Sequence, residues 1–96
     1  MTSSNKLSAV FTQLCRAGIQ LREVGLNIEA IKCFEALATD DDSYESGDYA
    51  FELALCYEAM GEPEKAIHYM TIAVQENPGV YSSHSDAIRI GFRMVG

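Results

Sequence analysis

The chain has 96 residues, 48% of them hydrophobic and 22% charged, with a formal net charge of −7. That length fits one small domain with a modest core, and the composition is too apolar for intrinsic disorder. The negative balance argues against nucleic acid or anionic lipid as the main partner, because phosphate calls for a basic surface. No segment approaches the roughly 20 apolar residues of a membrane span, so no membrane insertion is expected. The opening "MTSSNKLSAV" lacks the basic start and long apolar centre of a signal peptide, and a cytoplasmic location is the expectation. Cys15, Cys33 and Cys56 form no CxxC pair. An odd count without a signal reads as reduced thiols acting as small buried hydrophobes.

The elements follow from periodicity. Leu7, Val10, Phe11, Leu14, Cys15, Ala17, Gly18 and Leu21 recur at three- and four-residue steps, predicting a helix that ends near Val24 with Gly25 as its left-handed stop. Asn27 is placed to cap a second helix carrying Ala30, Ile31, Phe34, Leu37 and Ala38, which the polar run "TDDDS" ends. A third helix carries Tyr49, Ala50, Leu53, Ala54, Cys56 and Tyr57, with Ser46 as its cap and Gly61 as its stop. Pro63 falls where a helix start tolerates proline. A fourth helix then runs through Ala66, Ile67, Met70, Ala73 and Val74 until Pro78 blocks it. A fifth is expected from about Ser83, capped by that serine with Asp86 three residues on, through Ala87, Ile88 and Phe92.

Superposing the two halves reveals a duplication. Gly25 and Gly61 stand 36 residues apart (61 − 25), as do Leu14 and Ala50, Ala17 and Leu53, Gly18 and Ala54, Leu21 and Tyr57, Ala30 and Ala66, and Phe34 and Met70. Small residues at 18, 54, 30 and 66 let helices approach closely, while the larger apolar positions wedge between neighbouring hairpins.

These residues resemble the tetratricopeptide repeat, a helix–turn–helix unit of about 34 residues with small, aromatic and proline marks. The second unit has Leu53, Ala54, Tyr57, Gly61, Ala66, Met70, Ala73 and the closing Pro78; the first keeps Leu14, Gly18, Leu21, Gly25, Ala30, Phe34 and Leu37 but lacks that proline. The resemblance implies an all-α, right-handed α-solenoid of two helix hairpins plus a C-terminal capping helix, about five helices in one domain. Residues 1–6 would be a flexible lead, 8–42 the first repeat, 43–78 the second and 81–95 the cap.

Nothing in the chain spells a reaction. "SSHSDA" sets Ser, His and Asp side by side around His84, yet sequence adjacency does not make a triad, and His68 lies among charged neighbours. "TDDDSYESGD" lacks the alternating ligands, central Gly and terminal Glu of an EF-hand loop. A Gly-rich phosphate loop, HExxH and paired Cys/His sets are missing as well. The expectation is a protein that is not an enzyme and takes no cofactor or metal.

The resemblance implies instead a concave surface lined by the first helix of each unit. In that register the groove carries Thr12, Cys15, Arg16, Ile19, Arg22 and Glu23, then Asp48, Phe51, Glu52, Leu55 and Glu58, then Ser85, Arg89 and Arg93. Ile19, Phe51 and Leu55 have no evident reason within the chain to be apolar there, and an open apolar cluster marks a partner surface. The competing reading is that a loop, the N-terminal segment or the last helix folds over them. From Asp40 to Glu64 there are nine acidic residues and no Lys or Arg, with Arg16, Arg22, Arg89 and Arg93 toward the ends. An apolar floor flanked by arginines suits a protein or peptide partner, an amphipathic helix or extended apolar segment with some acidic residues. Short, acidic, stand-alone members of this kind resemble type III secretion chaperones, so a chaperone or adaptor role is implied. The alternative is a self-associating scaffold, a homo-oligomer stacked end to end through its repeats.

Overall fold

The structure, a computed structural model, describes the backbone of residues 2–40 and 46–95 and the side chains of residues 13–38 and 48–91. Among the described residues six helices follow one another: α1 (Thr2–Glu23), α2 (Asn27–Asp40), α3 (Ser46–Ala59), α4 (Pro63–Glu76), α5 (Pro78–Tyr81) and α6 (Ser85–Val95). No strand occurs among the described residues. The sixth helix is a departure from the expected five. Pro78 does end α4, but its fixed φ and missing N–H also suit it to the first position of a helix, and it opens the single turn of α5. At the other end α1 starts at Thr2, so it takes in residues expected to be a flexible lead.

Both predicted glycine stops are real, and the turns they make are copies of each other. At Gly25 (φ 89°) the Gly25 N–H donates to the Arg22 carbonyl at 3.0 Å and the Leu26 N–H to the Leu21 carbonyl at 2.9 Å. At Gly61 (φ 75°) the Gly61 N–H donates to Glu58 at 3.0 Å and the Glu62 N–H to Tyr57 at 2.9 Å. This is the paired bonding of a Schellman motif, which satisfies the last carbonyls of one helix and sends the chain back along it. Ala30 and Ala66 then bond back to Leu26 and Glu62, completing a hydrogen-bond pattern that repeats at the offset seen in the sequence.

Two predicted caps are replaced. Asn27 is the first residue of α2, not the cap before it: its Nδ2 reaches the Gly25 carbonyl at only 3.5 Å and its buried Oδ1 has no partner. It occupies the place that Pro63 holds in the second unit. Ser83 does not cap α6; His84 does, its Nδ1 accepting the Asp86 N–H at 3.1 Å while the Ile88 N–H donates to the His84 carbonyl at 2.9 Å.

The core forms two clusters joined through α3. Tyr49, Leu53 and Cys56 face α2, where they meet Ala30, Ile31, Phe34 and Leu37. Ala50, Phe51 and Ala54 face the other way, onto Ala66, Met70 and Ala73 of α4 and Tyr81, Ala87 and Ile90 beyond it. Close approach depends on the small residues: a Cβ built on Gly18 would lie 2.7 Å from the ring of Phe34, which is 0% exposed. The duplication is not symmetric in burial. Gln13, Ala17 and Gln20 of α1 are exposed, whereas their counterparts Tyr49, Leu53 and Cys56 are buried against α2, so α1 has one face that none of the described residues covers.

Candidate functional site

The predicted groove residues converge on one side of α3. Arg22 of α1 donates from Nε to Glu52 Oε1 at 3.1 Å, tying α1 to α3. Arg89 of α6 pairs with Glu58 and, at 2.8 Å, with Asp86, tying α6 to α3. The Tyr81 hydroxyl of α5 donates to Asp48. Cys15 of α1 also belongs here, since Glu52 and Asp48 both act on its thiol. Asp48, Glu52, Leu55 and Glu58 are all half-buried, and Arg16 is exposed. The side chains of Thr12 and Arg93 lie outside the described residues.

Phe51 is where expectation and structure part. It is 9% exposed, with the Tyr81 ring stacked on it (centroids 4.7 Å, planes 19° apart) and the His84 ring meeting it edge-on at 4.9 Å. Such aromatic contacts add to the burial itself. Ile19 packs against the α1–α2–α3 cluster and Leu55 against the α3–α4–α6 cluster. All three therefore have a reason within the chain to be apolar, and the expected open apolar floor is corrected to a floor largely covered by the molecule's own side chains. The cause is α5: its single turn swings Tyr81 back across α3, a placement that helical periodicity did not reveal.

The charges are corrected too. Arg22 and Arg89 are not free flanking cations but partners of floor carboxylates, so the side of α3 facing them is acidic with its cations spent internally. Burial pushes the Glu52 carboxyl above the ordinary carboxylate range even though Arg22 pulls the other way. The Cys15 thiol is pushed up to about 11, first by burial and then by Glu52, Asp48 and Cys33; Cys56 is likewise raised to about 11, mainly by burial. These are inert thiols rather than nucleophiles.

A second feature was missed by sequence reasoning. On the opposite side of α3, between α2 and α4, a cleft of about 160 Å³ is lined, among the described residues, by Ala38, Tyr49, Ala50, Leu53, Tyr69 and Ile72. Tyr69 is held there by stacking on Tyr57 (5.5 Å, 6°). Helical spacing marks Ala38, Tyr49, Ala50 and Leu53 as core but leaves Tyr69 and Ile72 off the stripe of α4, and nothing local distinguishes a core position whose cover is incomplete.

Among the described residues no group of three or more His, Cys, Asp or Glu is placed to hold a metal ion. None of the described helices is long and apolar enough to cross a membrane. Compared with family models, with curated proteins and with solved structures, the chain shows no significant match.

Proposed function

We propose that this chain is a non-enzymatic protein–protein interaction module, built as a short tetratricopeptide-like solenoid, that holds an amphipathic segment of a partner protein against α3 between α1 and α6. The chaperone or adaptor role, of the kind performed by small type III secretion chaperones, belongs to the same reading. The repeated Schellman turns and the small–large contact of Gly18 with Phe34 support the solenoid. The observation that carries the binding role is the half-buried stripe Asp48, Glu52, Leu55 and Glu58 on one side of α3, with Arg16 exposed beside it on α1. A half-buried acidic stripe with one aliphatic residue in it favours a partner with basic and apolar side chains on one helical face.

The test is selection from a displayed library of amphipathic helical peptides, followed by binding to Leu55→Gln and Arg16→Glu variants whose melting is checked by circular dichroism. Loss of binding in Leu55→Gln and tighter binding in Arg16→Glu, both with folding retained, supports the reading. Peptides that bind but ignore both substitutions place the partner elsewhere.

A second reading, self-association end to end, is favoured by one observation: Ala17 is exposed on α1, with Leu14 44% exposed nearby, whereas Leu53, the counterpart of Ala17, is buried against α2 of the preceding repeat. A mass that rises with concentration in sedimentation, and that a Leu14→Glu change abolishes, would establish it.

A further inference from the structure

The face of α3 assigned above to a partner is occupied here by the chain itself. Along α3, in order, Asp48 accepts the Tyr81 hydroxyl, Phe51 takes the Tyr81 ring and the His84 edge, and Glu58 takes the Arg89 guanidinium. The two segments thus run in the same direction, with one aromatic anchor and one cation matched to one ring and two carboxylates. A charged pair with one half-exposed member contributes little to stability, and Arg89 is 46% exposed in its side chain. What such matched contacts do supply is selectivity.

We propose that α5–α6 is an intramolecular stand-in for the partner: a strap that packs on α4 through Ala87 and Ile90, lays Tyr81 and Arg89 on the α3 face, shows what that face recognises, and must yield when the partner binds. This rests on the binding role proposed above and deepens it. The partner segment then carries a phenol or similar aromatic side chain and, on the same helical face farther toward its C-terminus, a guanidinium or ammonium group. The acidity of the face fits that chemistry and disfavours an acidic segment, the opposite of what unpaired arginines would have implied. A site open for only a fraction of the time binds its ligand more weakly by that fraction, so loosening the strap must raise apparent affinity.

The experiment uses the full chain and a labelled synthetic peptide of its own residues 78–95, read by fluorescence polarisation. In Tyr81→Phe/Arg89→Gln the stacked ring stays and only the two polar anchors go, so the fold is kept. The expected result is at least tenfold tighter peptide binding by this double variant than by the unmodified chain, faster amide exchange in α6 than in α3, and loss of the gain when Glu58→Gln is added. Equal affinity for both forms, still sensitive to Leu55→Gln, would overturn the strap and leave the binding role standing. No peptide binding by either form, with α6 amides exchanging as slowly as those of α3, would overturn the strap outright, and the library selection would then decide the binding role by itself.

Discussion

Replacing Gly18 by alanine tests a close contact between α1 and α2. The new Cβ would stand 2.7, 2.9 and 3.1 Å from three ring atoms of Phe34. The ring is 0% exposed and is enclosed by Ala30, Ile31, Leu37, Tyr49, Leu53 and Cys56, so it has no solvent side to retreat to. Overpacking of this kind costs about 1–3 kcal/mol. Alanine returns about 1 kcal/mol in the middle of a helix, through better propensity and a less disordered unfolded chain. The balance is a net loss of roughly 1 kcal/mol, or about 4–8 °C in melting temperature for a domain of this size. The sign should reverse in a Phe34→Leu background, where the clashing ring atoms are gone: there Gly18→Ala should stabilise by up to about 1 kcal/mol relative to Phe34→Leu alone. Urea unfolding of the four members of this cycle, followed by circular dichroism, measures the coupling. If Gly18→Ala shifts stability equally in both backgrounds, Gly18 and Phe34 are not in contact and the pairing of α1 with α2 is wrong.

Three further outcomes are expected. Burial raises the Glu52 carboxyl in the folded state, so the stability linked to that shift is full below the unfolded value of 4.5 and is lost as pH rises through the raised folded value. Glu52→Gln should therefore melt no lower than the unmodified chain at neutral pH and show a flatter stability profile above pH 4.5; a loss exceeding about 1 kcal/mol would mean the Arg22 pair outweighs burial. Cys15 and Cys56 keep their protons to about 11 when folded but ionise from 9.0 when unfolded. Stability should accordingly fall between those values by at most about 1.4 kcal/mol per pH unit for each thiol, and a Cys15→Ala/Cys56→Ala variant should lack that slope. Gly61→Ala meets open space but is forced to keep φ at 75°, so it should cost about 1 kcal/mol from backbone strain alone. Unchanged denaturation curves would show that the turn does not need its left-handed residue.

The turns, the helix faces and the duplication were legible in the residues because each is a short-range property. A glycine with positive φ after a helical stripe, a proline at a helix start, and small residues opposite large ones act within a few residues of themselves, and Gly25, Gly61, Pro63, Gly18 and Phe34 all took the places that logic assigns. Which side chains share the face of α3 was legible to the extent that a repeat places equivalent positions alike: Arg22, Glu52, Glu58 and Arg89 do come together. What periodicity could not say was what covers them. Burial depends on an element distant in sequence, and the residues that seal the site lie far from it along the chain: Tyr81 is 33 positions from Asp48 and Arg89 is 31 from Glu58. A cation and an anion so separated read as two free charges until the fold sets one against the other. A phenylalanine on the outward side of a stripe likewise reads as open until one turn of helix after Pro78 lays a tyrosine on it. The sequence by itself determined the helices and how they turn; only the tertiary structure decided that the face of α3 carrying Asp48, Phe51 and Glu58 is covered by Tyr81 and Arg89.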